Sequence, residues 1–141
     1  MVQTSSAANA ARRLGEQPID SEVLKMEVQL RDENGRVVCN HCTLAADPFT
    51  RMKGLLGRRS LPPGQGLLLK PAGSIHTFFM RFPIDAVFLD GERQVVKVAA
   101  HLRPWRTAAA GRRARAVLEL AAGEASRLGI RTGDVLVEAR P

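Results

Sequence analysis

The stretch SIHTFFMRFPIDAVFLD, residues 74–90, is the most unusual in the chain, gathering His76, Thr77 and Asp85 with four of the five phenylalanines around Met80 and Pro83. Histidine titrates near neutral pH, and a carboxylate bonded to one ring nitrogen fixes the tautomer and orients the other nitrogen. If adjacent strands bring His76 and Asp85 together across a bend at Pro83, the imidazole can serve as a general base or a metal ligand. Thr77 or a metal-bound water would then be the nucleophile. The structural alternative is that Asp85 accepts loop N–H groups at a strand start, His76 makes a polar core contact and the phenylalanines fill the core. Spacing alone leaves both readings open.

Two further motifs carry chemistry. Cys39-Asn40-His41-Cys42 has the CxxC spacing of a redox pair or of half a zinc site, and these are the only two cysteines. Zinc takes four ligands, so His41 with His76 or His101 would have to complete the set. Redox chemistry of the thioredoxin type needs the motif at a helix N-terminus, whereas VVCNHCTLA reads as extended chain. The expectation is two reduced thiols, with no metal and no cofactor. In LRPWRTAAAGRRARA, residues 102–116, Trp105 lies between Arg103 and Arg106. Together with Arg81 they form a candidate ligand-binding set, the indole stacking on a ring while guanidinium groups hold an anion. In the alternative, Pro104 and Trp105 anchor the loop on the core and the arginines face water.

Charge is compatible with an anionic partner and equally with an ordinary solvated charged surface. The chain carries 21 Lys and Arg against 14 Asp and Glu, and residues 91–115 hold seven basic side chains against Glu92 alone. Such density attracts phosphates, acidic surfaces or, nonspecifically and weakly, nucleic acid. No Walker loop, GxSxG or HExxH is present.

These groups must be positioned by short elements. A chain of 141 residues predicts one domain, with residues 1–22 a flexible tail lacking apolar periodicity and residues 23–141 a single β-rich domain. VLKMEVQL (23–30) and RVVC (36–39) read as a hairpin turning at Asn34-Gly35. Residues 47–57 read as a short amphipathic helix, capped by Asp47, opened by Pro48, lined by Phe49, Met52, Leu55 and Leu56, and stopped by Gly57. Six short strands follow, separated by Pro, Gly or Asp-Gly, with a turn or two of helix in AGEASRLG (122–129) that turns Ala125 and Leu128 inward. The fold class expected is mostly β (α+β): a distorted antiparallel β-barrel or jelly-roll-like sandwich with one or two short helices. No apolar stretch is long enough to span a membrane, no membrane partner is expected, and the first residues lack the apolar core of a secretory signal, so a cytoplasmic location is expected.

The ordered motifs RMKGLLGRRSL, GQGLLLKP, SIHTFFMRFPIDAVFLD, VVKVAAHLRPWR, AVLELAAG and GIRTGDVL resemble the domain-of-unknown-function 192 family, also called uncharacterised protein family 0127. The resemblance runs from about Val37 to Val137 and points to its His-Thr branch, Phe79 standing where many members carry a tryptophan before the methionine. It implies a compact, mostly β fold of distorted barrel or jelly-roll type with one or two short helices, and no activity. The residues it carries over are Gly54, Leu55 and Gly57, and His76, Thr77, Met80, Pro83 and Asp85; the cysteine pair lies outside the family pattern. The leading expectation is a small non-enzymatic binding domain for an anionic small molecule, glycan or protein partner. An acid–base enzyme using His76 and Asp85 and a nucleic-acid accessory protein using residues 93–115 are the alternatives.

Overall fold

A computed structural model describes residues 26–45 and 58–139. The helix expected over 47–57 and the tail expected over 1–22 lie outside the described residues. Nine strands follow in order: β1 (Met26–Arg31), β2 (Val37–Ala45), β3 (Gln65–Leu69), β4 (Ser74–His76), β5 (Ile84–Leu89), β6 (Val95–Leu102), β7 (Thr107–Ala109), β8 (Ala116–Ala121) and β9 (Val137–Ala139). A 3-10 turn at Gly111–Arg113 precedes β8, and α1 (Glu124–Arg127) follows it.

The fold is mostly β, as expected, but its main sheet is mixed rather than purely antiparallel. Seven strands run in the order β6-β5-β8-β3-β2-β1-β9, and β2 pairs with β3 in parallel, His41 opposite Gln65 and Ala45 opposite Leu69. A parallel pair needs a crossover of a dozen or more residues, and the 46–64 connection has that length. The remaining pairs in this sheet are antiparallel, and β4 and β7 form a separate two-stranded antiparallel sheet.

The sheet is not a closed barrel. Its ends curl toward each other and meet at one bridge, Gln94 to Val135, with Val95 N–H donating to Asp134 O at 2.7 Å and Leu136 N–H to Arg93 O at 2.9 Å. Beside this seam, Glu138 accepts from Lys70 at 3.0 Å and also from Arg93.

The expected hairpin is β1–β2. Asp32 Oδ1 accepts the N–H groups of Asn34 and Arg36, both at 2.9 Å, and Gly35 takes the positive φ of 84° that the turn requires. Alternation along the central strands gives the sheet two buried faces. Val87, Leu89, Leu118 and Leu120 face Val28, Leu30 and Leu136, where Ala125 and Leu128 also pack as expected. Ile84, Ala86, Phe88 and Val117 face Leu67, Leu69, Ile75, Met80 and Phe82. Because β5 is buried along its whole length, side chains next to each other on it belong to different cores. The second core seats the 77–83 loop through Met80 and Phe82.

Candidate functional site

Thr77 follows β4 and is fully buried, and each of its polar groups bonds to the main chain. Its N–H donates to Arg106 O at 2.8 Å, and its carbonyl accepts from Trp105 N–H at 2.9 Å and from Met80 N–H at 3.2 Å. Its hydroxyl donates to Arg103 O at 2.6 Å and accepts from Arg106 N–H at 2.9 Å. The loop joining β6 to β7 is thereby locked against the loop joining β4 to β5.

The lock displays aromatic rings. Phe79 (φ 66°) and Trp105 (φ 64°) both adopt the left-handed backbone region, which costs a non-glycine residue roughly 1–2 kcal/mol. Both are nevertheless more than half exposed, Phe79 at 65% and Trp105 at 55%, and their ring centroids lie 4.6 Å apart. Phe78 stacks on Trp105 at 5.9 Å, and His76 stacks on Phe78 at 4.8 Å. Arg81, Arg103 and Arg106 are exposed on the same two loops. Neither 76–84 nor 93–115 contains an acidic residue. Among the described residues no carboxylate pairs with these three arginines.

This arrangement joins Trp105, Arg103, Arg106 and Arg81, the expected ligand-binding set, on adjoining loops. Trp105 is not a core anchor. Of the phenylalanines that the structural alternative put in the core, Phe82 and Phe88 are buried, whereas Phe78 and Phe79 are exposed, because Thr77 occupies the buried position and the chain turns outward after it. A sequence signal for this existed in the resemblance: the position before Met80, held by Phe79 here, is an aromatic site in many relatives.

The dyad expected of His76 and Asp85 is not assembled. Asp85 is fully buried on the side of β5 that faces α1, where Oδ1 accepts His101 N–H at 2.9 Å. Its Oδ2 accepts Gly123 N–H at 3.0 Å and Ala125 N–H at 2.9 Å. His76 is exposed at the end of β4, its ring stacks on Phe78, and it is not among the partners of Asp85. Thr77, its hydroxyl committed to Arg103 and Arg106, is not placed as a nucleophile for them.

The metal set proposed from Cys39, His41, Cys42 and His76 or His101 is likewise not brought together. A β-bulge in β2 sets Cys39 opposite Leu30 and Cys42 opposite Val28, and the N–H groups of Asn40 and His41 both donate to Gly64 O at 2.9 Å. The extra residue turns both cysteines into the same core while Asn40 and His41 face outward. Contact with the Cys39 thiol, and burial after it, push the Cys42 thiol far above its ordinary range. His41 Nδ1 instead lies 3.7 Å from Glu27 Oε2, at the rim of an open polar cavity of about 370 Å³ lined also by Thr43, Arg58, Gln65 and Gly66.

Fold and site define a class: a mostly-β domain with a mixed seven-stranded sheet that presents an aromatic surface on two interlocked loops. The family model DUF192, described as Uncharacterized ACR, matches residues 28–137, and the chain belongs to that family. A UPF0127 protein of Pyrococcus abyssi (strain GE5 / Orsay) is 43% identical over 61 residues, 43% of this chain and 51% of that relative. The match thus spans about half the relative's length. The fold is similar to a candidate transcription regulator from Sinorhizobium meliloti 1021, with TM-score 0.72 and 25% identity over 81% of this chain and 95% of that one. It is also similar to a protein of unknown function from Novosphingobium aromaticivorans DSM 12444, with TM-score 0.68 and 28% identity over 80% of this chain and 84% of that one. Among the described residues no helix is long and apolar enough to cross a membrane.

Proposed function

We propose that this domain is a binding module that docks an anionic partner on the surface built by Phe78, Phe79, Trp105, Arg81, Arg103 and Arg106. One observation carries the reading: two aromatic residues in ring contact are held exposed, each in a backbone conformation that disfavours it. Burial of Thr77 and Met80 fixes where the two residues sit but leaves their rings without cover from the described residues, and docking of a partner would supply that cover. The arginines supply the sign of the partner's charge. The name of the Sinorhizobium relative is in keeping with an anionic partner. The curled sheet, which we read as a distorted, incompletely closed barrel whose edges meet at the Gln94–Val135 bridge, is the frame for the two loops.

Trp105 is the only tryptophan, so its emission reports on this surface directly. Titration with heparin oligosaccharide, polyglutamate and a short oligonucleotide is expected to give saturable binding and a change in emission with at least one of them. Arg106→Ala is expected to weaken that binding with little change in melting temperature. Loss of folding in Trp105→Ala would show that the indole supports the core. Emission unmoved by every polyanion would refute the binding surface.

A further inference from the structure

The geometry points to single-stranded nucleic acid as the partner of this surface, an inference that rests on the binding reading above. Three features distinguish that polymer from other anions. First, the surface offers rings as well as charge. His76, Phe78 and Trp105 form a run with interplanar angles of 24° and 30°, and Phe79, more exposed than Phe78 or Trp105, lies tilted at its end. A nucleotide chain presents a planar π face and a phosphate at every unit, which matches aromatic and guanidinium groups interleaved in Phe78-Phe79-Met80-Arg81 and Arg103-Pro104-Trp105-Arg106. A polyglutamate segment or a sulfated sugar provides the charge without the planar face.

Second, the cations here are arginines, whose planar fork binds phosphate oxygens in pairs and stacks on bases. The guanidinium groups at 81, 103 and 106 stand free of carboxylates among the described residues. By contrast, nearby Arg113 lies 3.7 Å from Asp90, whereas the Arg106 guanidinium donates to Trp105 O at 3.3 Å. Third, the described elements do not suit duplex readout. The major groove is read by an α-helix or a two-stranded ribbon; the described α-helix has four residues and packs Ala125 into the core, and the β4–β7 ribbon has strands of only three residues and packs Ile75 and Ala108 against the second core. Rings displayed on loops reach bases that are already unstacked.

The test is fluorescence anisotropy of a fluorescein-labelled twelve-residue oligo(dT) titrated with the full chain, alongside Trp105 emission. Saturable binding with quenched emission is expected. Three arginine–phosphate contacts on a single strand predict a salt slope near −2, so affinity falls roughly 20-fold between 50 and 200 mM salt. Phe79→Ala is expected to lose at least about fivefold in affinity through lost stacking. Arg103→Ala is expected to weaken binding and to reduce the salt slope by roughly 0.7. Circular dichroism melts of each variant separate loss of contact from loss of fold.

Polyglutamate, heparin and phosphatidylserine vesicles are run as competitors. If they displace the oligonucleotide at equal charge concentration and move the Trp105 emission equally, the nucleic-acid assignment falls and the anionic binding surface stands. If no probe moves the emission, both fall. Oligonucleotide binding that is unchanged in Phe79→Ala and Trp105→Ala would also overturn the assignment, since it would come from basic residues elsewhere.

Discussion

Replacing Thr77 by valine keeps the side chain's shape and deletes only its hydroxyl. That hydroxyl donates to Arg103 O at 2.6 Å and accepts Arg106 N–H at 2.9 Å, at a fully buried position. Each buried backbone group left without a partner costs about 1–3 kcal/mol. Part of this is offset if the loop relaxes, because releasing Trp105 from its left-handed conformation returns about 1–2 kcal/mol. The expected net loss is therefore about 1–4 kcal/mol, which moves a urea midpoint down by roughly 0.5–2 M for a domain of this size. The loop should loosen before the sheet does. Time-resolved anisotropy of Trp105 is then expected to show faster local motion in Thr77→Val under native conditions, and binding at the aromatic surface to fall by more than about tenfold. Thr77→Ser, which retains the hydroxyl, should recover most of both properties. If Thr77→Val matches the parent within about 0.5 kcal/mol and binds as tightly, the hydroxyl does not hold the loop and the argument for a preformed surface fails.

Three other outcomes follow from the buried groups. Asp85→Asn replaces a carboxylate that accepts from three backbone N–H groups with an amide that has one acceptor oxygen, and is expected to destabilise the fold by about 3 kcal/mol in urea unfolding. A change under 1 kcal/mol would mean that those contacts carry little. Cys39 and Cys42 are expected to resist a thiol-specific chromogenic reagent in the native state and to react fully in denaturant, since burial and mutual contact keep Cys42 protonated. Rapid native labelling would contradict the burial. Glu124, whose carboxyl is held below its ordinary value of 4.5 chiefly by its hydrogen bonds to Arg127, contributes stability that is fully present above that value. The contribution disappears as pH falls through the lowered value, so the stability gap between the parent and Glu124→Gln should close on acidification. A gap that is independent of pH would point to packing instead.

Local signals in the sequence carried over to the structure where the chain acts on itself. The β1–β2 hairpin follows from Asp32 and Gly35, and the inward Ala125 and Leu128 follow from helical spacing before Gly129. What was not legible depends on contacts between distant segments. The parallel β2–β3 pair depends on where the chain re-enters the sheet at Gln65, and no residue pattern within either strand encodes that. Cys39 and Cys42 would point to opposite faces by simple alternation, and a single bulge reverses the outcome. Bonding of Asp85 to loop amides and bonding to His76 are both chemically sensible from the sequence, and the packing of α1 against β5 decides for the amides. Residue type alone favours a core position for Phe78 and Phe79, which the structure exposes. Their exposure follows from the Thr77 bonds to residues 103–106, a separation that a reading of neighbours cannot bridge.

The hold of Thr77 on the facing loop is made entirely to main-chain atoms of Arg103, Trp105 and Arg106. Geometry and chemistry are thereby uncoupled at this surface. The path of the loop is inherited from the buried threonine, while the side chains at 103, 105 and 106 can be exchanged without altering a bond that sets that path. Phe79 differs in degree, since Met80 beside it is anchored in the core and its own ring is not. A lineage, or a designer, can therefore rewrite what these loops recognise one residue at a time while the frame beneath them stays the same.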